Sequence, residues 1–171
     1  ADNKGYAYDP EGAKKLLAEA GVGEIITELY AMNVDPNPRI AQAIQQDLAA
    51  VGIKAEIRSL AQAEVIAAGG SGKAPMIWSG GMAWIADFPD PANFYYGILG
   101  CSSVGNGGWN WAGYCNQALD DRANQADTMV AAEQAAARAD AWKGIYNDLM
   151  KDAPWVPIFN EKRFTYHSAW L

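Results

Sequence analysis

Ala83-Trp84-Ile85-Ala86-Asp87-Phe88-Pro89-Asp90-Pro91 is the stretch on which the fold turns. An apolar run, Met76-Ile77-Trp78-Ser79-Gly80-Gly81-Met82, leads into it as a central strand. Its two glycines allow close backbone approach, and Pro89 and Pro91 stop the strand. An aromatic ring and a carboxylate, Trp84 and Asp87, are thereby left at a strand end. Open α/β sheets bind ligands at such ends. A carboxylate there is placed to receive a cation, and an indole to supply an apolar wall. Asp90 reads as the cap of a helix beginning at Pro91, because Asp-Pro is a helix-start signal. Asp87 stands farther from Pro91, and a ligand-binding and a structural role are equally open for it.

Upstream, the pattern is that of an α/β unit. Asp9-Pro10-Glu11 starts a helix in which Ala13, Leu16, Leu17 and Ala20 recur at helical spacing, and Gly21 caps it. Residues 24–31 form a strand candidate, and 33–37 a turn rich in Asp, Asn and Pro. A helix from Pro38 carries Ile40, Ile44, Leu48 and Val51 on one face and ends at Gly52. Residues 54–58 alternate polar and apolar as a half-buried strand does. These two strands should pair in parallel across the helix. Residues 61–68 read as a short helix and 69–72 as a flexible glycine loop without P-loop spacing.

Downstream, residues 92–99 read as a short helix presenting Phe94, Tyr95 and Tyr96. Residues 100–114 are irregular, with Trp109, Trp111 and Tyr114 among glycines. Those rings either face a ligand or a neighbouring lobe, or fold inward as a small core beneath the loop. Residues 116–127 and 130–151 read as helices, the second with an apolar stripe that marks core packing. Residues 155–159 and 162–168 are strand candidates, the first at an edge because of Pro157.

Composition narrows the function. The chain has 171 residues, half of them hydrophobic, and a net charge of −7. That supports one domain or one lobe with a real core, and argues against a nucleic-acid partner. No apolar run approaches membrane-spanning length, and the first five residues are polar, without a signal-peptide pattern. Cys101 and Cys115 lie in one Gly/Asn/Ser-rich stretch. They read as a loop disulfide, implying an oxidising compartment, with two free thiols as the alternative. His167 is the single histidine, so neither a metal site nor a Ser/His/Asp triad is expected. No cofactor is indicated. The alternative is a carbohydrate-binding module or a glycoside hydrolase, with Asp87 and Asp90 as an acid/base pair and the loop tryptophans as a sugar platform.

Four stretches together resemble a known family. Residues 8–21, reading Tyr-Asp-Pro-Glu-Gly-Ala-Lys-Lys-Leu-Leu-Ala-Glu-Ala-Gly, look like its first helix in this region. Residues 41–57, with Gln46-Asp47-Leu48, Val51-Gly52-Ile53 and Glu56, look like its next helix–strand unit. Trp84-Ile85-Ala86-Asp87-Phe88-Pro89-Asp90-Pro91 matches Trp-x-x-Asp-x-x-Asp-Pro. Asp152-Ala153-Pro154-Trp155-Val156-Pro157-Ile158 matches Ala-Pro-x-x-Pro. In this order they resemble the C-terminal lobe of the extracellular solute-binding proteins of family 5, the dipeptide- and oligopeptide-binding proteins of ABC importers.

The resemblance implies an α/β lobe with a mixed sheet flanked by helices, of the type II periplasmic-binding-protein (venus-flytrap) fold. Residues 1–171 would form one lobe of a two-lobed protein, with 1–8 a lead-in near the hinge and Ala169-Trp170 close by. It implies ligand binding without catalysis, an N-terminal lobe and a transporter permease as partners, and a periplasmic or extracellular location, lipid-tethered or free. By resemblance, Asp87 holds a peptide's α-ammonium group. Ala83, Trp84 and Ile85 line the cleft, and Trp109 and Trp111 are added to them as candidate ligand contacts. Gly81 stands where some oligopeptide binders carry an arginine for the ligand carboxylate, so that form of recognition is not implied here.

Overall fold

Helix punctuation in the sequence is reproduced almost residue for residue. The structure, a computed structural model, describes residues 5–79, 84–158 and 164–168. Asp9 caps helix α1 (Pro10–Glu19) by accepting a hydrogen bond from the Gly12 amide at 2.8 Å. Gly21 turns the chain out with a φ of 66°, a conformation that favours glycine. Strand β1 (Ile25–Met32), helix α2 (Asn37–Ala50) and strand β2 (Ile53–Leu60) follow. The strands pair in parallel, from Ile25 opposite Ile53 to Met32 opposite Leu60. Helix α3 (Gln62–Gly70) leads to strand β3 (Met76–Ile77), parallel to β1 on its other side. The sheet order is β2-β1-β3.

The second half is helical. Helices α4 (Pro91–Ile98), α5 (Gln117–Asp127) and α6 (Ala135–Asp152) surround one apolar cluster containing Tyr95, Leu119, Ala123, Trp142, Ile145 and Leu149. A smaller cluster, Leu29, Ala31, Ala41 and Ala55, lies between the sheet and α2. Tyr95 is fully buried, and its hydroxyl donates to Asp120 at 2.7 Å. Burial and that carboxylate hold its phenol far above the ordinary tyrosine range.

The α/β class stands, with every pairing among the described residues parallel. Three expectations change in detail. The long helix starts at Ala135, not 130, because Ala131 is extended and Gln134 accepts its amide hydrogen after a 3₁₀ turn at Ala132–Gln134. The central strand is regular only over Met76–Ile77, extended by the Trp78 amide donating to the Tyr30 carbonyl at 2.9 Å. Residues 155–158 and 164–168 are not strands. Val156, Ile158, Phe164 and Tyr166 are exposed, with no ladder partner among the described residues to make a strand worthwhile.

The 69–72 loop also changes character. Gly69 and Gly70 are buried in the last turn of α3. Side chains there would strike the Trp111 ring and the Gly107 backbone, so these glycines serve close packing rather than flexibility.

Candidate functional site

Helix α4 sets the site, and Asp90 sets α4. The Asp90 side chain accepts from the Ala92 amide at 2.8 Å, with Pro91 in the first turn. Arg138 of α6 grips the same carboxylate at 2.8 and 2.9 Å and also holds Asp127 at 2.9 Å. Asp90 is therefore committed to the helix start and to joining α4, α5 and α6. An acid/base pairing of Asp87 with Asp90 finds no support in this geometry.

With α4 fixed, Asn93 faces the segment that carries Trp84 and Asp87. It is 8% exposed and joins the two candidate residues of the motif. Its Oδ1 accepts from Trp84 Nε1 at 2.8 Å and from the Asp87 amide at 3.2 Å. Its Nδ2 donates to Asp87 Oδ2 at 3.1 Å. The neutral amide thus orients the carboxylate without neutralising it, and Asp87 remains exposed.

A recess of about 310 Å³ opens beside Asp87. Trp84, Ile85, Trp109 and Trp111 line it, so five of the six expected site residues converge. Ala83, the sixth, lies outside the described residues, as do Gly81 and Ala169-Trp170. Ser79, Ile98 and Trp155 complete the lining and were not singled out from sequence as site residues. Asn93 was also missed. Its signal was an asparagine, a poor helix former, in the first turn of a helix that already had a cap.

The tryptophans are tightly seated. Trp109 and Trp111 stack at 5.3 Å, and Trp84 meets Trp109 edge-on at 6.4 Å. Trp109 is 40% exposed, whereas Trp111 is half-buried against Gly69. One loop ring thus points outward and one packs inward. A Cβ on Gly97 would lie 2.5 Å from the Trp84 ring. Gly97→Ala should therefore displace Trp84, which Asn93 and Trp109 hold from the other sides. An overpacking cost of about 1–3 kcal/mol is expected, outweighing alanine's helix preference of up to ~1 kcal/mol. Thermal denaturation and a changed tryptophan near-ultraviolet spectrum are the measurements.

The loop carrying Trp109 and Trp111 is closed by a disulfide between Cys101 and Cys115. Inside it, buried Asn110 donates to the carbonyls of Gly100 at 3.0 Å and Tyr114 at 2.8 Å. Reducing the disulfide releases a constraint worth on the order of 3 kcal/mol in the chain-entropy model. We expect a melting temperature lower by roughly 6–12 °C at about 2–4 °C per kcal/mol, with weakened indole dichroism. An unchanged melting curve after verified reduction would contradict this.

A second groove of about 460 Å³ adjoins the recess, sharing Ser79, Trp111 and Trp155. Its described lining, including Leu29, Met76 and Ile158, carries no charge. Among the described residues no group of three or more metal-ligating side chains exists, and no helix is long and apolar enough to cross a membrane.

The recess thus sets an exposed carboxylate beside an indole wall. A sequence model of the bacterial extracellular solute-binding proteins, family 5 (middle region), matches residues 1–106. The chain belongs to this family. A probable di/tripeptide-binding protein 5 of Pseudomonas aeruginosa is 34% identical over 170 residues, 95% of this chain and 30% of that protein. Heme-binding protein A of Haemophilus influenzae is 33% identical over 93% of this chain and 29% of its own length. Among solved structures, the ABC transporter-associated periplasmic binding protein DppA from Helicobacter pylori, in complex with peptide STSA, superposes with a TM-score of 0.79. It is 28% identical, and the match covers 89% of this chain and 29% of that one. The chain spans about 30% of the length of the curated relatives it matches.

Proposed function

We propose that this chain is the C-terminal ligand-binding lobe of a two-lobed solute-binding protein that delivers peptides to an ABC importer. The observation that carries the reading is the exposed Asp87 carboxylate, oriented by Asn93 and set against an indole wall. A carboxylate so oriented suits a peptide's α-ammonium group, through a charge-assisted hydrogen bond. The second lobe would close over the ligand about a hinge, and contacts made only when closed would shift the population. Residues 1–8 would lie near that hinge. The protein would bind and release its ligand unchanged, and a permease would receive it. The disulfide suits a periplasmic or extracellular site, with a lipid tether compatible.

The experiment is calorimetric titration of the full-length protein with di- to pentapeptides, alongside Asp87→Asn. Saturable binding that the substitution abolishes supports the reading. Binding that survives it removes Asp87 from ligand recognition. Absence of peptide binding in the unsubstituted protein overturns the peptide assignment and directs the search to sugars, opines and metal chelates.

A further inference from the structure

The chemistry of the recess restricts which ammonium-bearing ligand fits. Asp87 is the charged group in its lining, and no cationic side chain lines it among the described residues. The remainder is mostly indole and isoleucine surface. We propose that the recess selects ligands whose ammonium-bearing carbon carries an apolar or aromatic side chain, with Trp109 as the selecting wall. In peptide terms, the lobe reads the first residue; this deepens, and rests on, the peptide reading above.

Three features carry the inference. First, Trp109 presents a large ring to solvent beside a carboxylate, at 40% exposure, while its neighbour Asn110 is buried at 2%. Second, the ring is preorganised. Trp111 stacks under it at 5.3 Å, Trp84 abuts it at 6.4 Å, and the disulfide closes its loop. A wall already fixed gains contact area without losing rotamer freedom on binding. Third, the charges are one-sided. A ligand carboxylate near its own ammonium would face Asp87 with no cation in the described lining to pair it, and would lose water to the indoles.

The test titrates the full-length protein with Phe-Ala, Leu-Ala, Gly-Ala and Glu-Ala, then repeats the series on Trp109→Ala and Trp109→Phe. Phe-Ala and Leu-Ala should bind about 10- to 100-fold tighter than Gly-Ala, the range that burying such a side chain gives. Glu-Ala should bind weaker than Gly-Ala. Trp109→Ala should bring the Phe-to-Gly ratio close to one, and Trp109→Phe should keep most of it. Equal affinities across the series, or a ratio that survives Trp109→Ala, overturn the proposal.

A second arm separates this proposal from the peptide reading. Fluorotryptophan-labelled protein is titrated with phenethylamine and ethanolamine, two ammonium probes with and without an aromatic group. Shifts of the Trp109 and Trp84 resonances with phenethylamine alone, lost in Asp87→Asn, uphold the selection even if no peptide binds. The same response to both amines, or to neither, overturns it.

Discussion

Asp87→Asn in the full-length protein is expected to weaken peptide binding by roughly 30-fold to several-thousand-fold, the range for truncating one partner of a desolvated charge pair. The substitution is nearly isosteric. It leaves an oxygen for Asn93 Nδ2 but removes the charge that an ammonium needs. The fold should be untouched, because Asp87 is exposed and the helix cap is Asp90. Melting temperatures of the two proteins should therefore agree within about a degree or two, as for surface substitutions of under ~0.5 kcal/mol. An N-acetylated peptide should bind the unsubstituted protein about as weakly as the free peptide binds the variant. Acetylation that changes nothing would place the ammonium elsewhere.

The same prediction extends to Asn93 through a double-mutant cycle. Asn93→Ala removes the donor to Asp87 Oδ2 and the acceptor for Trp84 Nε1. If Asn93 acts on ligand by orienting Asp87, its effect on affinity should largely vanish in an Asp87→Asn background. A merely structural asparagine would cost the same in both backgrounds. Asn93 is a positioning residue in this scheme, since Asp87 makes the ligand contact.

How much of this was legible depended on how local each signal is. Caps and stops were read from sequence because their chemistry lies within one turn: Asp9 with Gly12, Asp90 with Ala92. The motif Trp-x-x-Asp-x-x-Asp-Pro was visible, but the commitment of Asp90 to joining the helices depends on Arg138, some fifty residues away. Asn93 was invisible as a hub because its three hydrogen bonds exist only once the segment carrying Trp84 and Asp87 folds onto the first turn of α4. Trp155 reads from sequence as part of a strand, and its position in the recess depends on how the segment after α6 folds back. Gly69 and Gly70 read as loop because sequence does not show what arrives against them: the Trp111 ring against Gly69 and the Gly107 backbone against Gly70. Partners beyond a single helical turn, rather than weak propensities, account for these misses.

The largest stability effect should come from Trp142→Ala, about 3–5 kcal/mol, as for truncation of a core aromatic. Trp142 is 2% exposed and lies among Tyr95 at 5.7 Å, Tyr146 at 6.2 Å and Tyr96 at 6.5 Å. The Arg138 guanidinium, which holds Asp90 and Asp127, sits 5.8 Å from its ring centroid. Removing the indole opens a cavity and withdraws a cation–π contact from that arginine. Trp142→Phe separates volume from polarity. The Trp142 indole N–H is buried without a hydrogen-bond partner among the described residues, so phenylalanine deletes a donor that costs free energy to bury. Its loss of volume should thus be partly offset, leaving Trp142→Phe well above Trp142→Ala in stability. Chemical denaturation of the full-length protein and both variants gives the order. If phenylalanine proves as costly as alanine, the ring contacts of the indole outweigh its orphaned donor. Because Trp142 packs against α4, Trp142→Ala should also loosen Asn93, and peptide affinity should fall with stability. Trp142→Phe should leave affinity close to that of the unsubstituted protein. A variant that keeps full affinity while losing stability would show that the recess is held by the loop disulfide and the sheet, independently of the helical core.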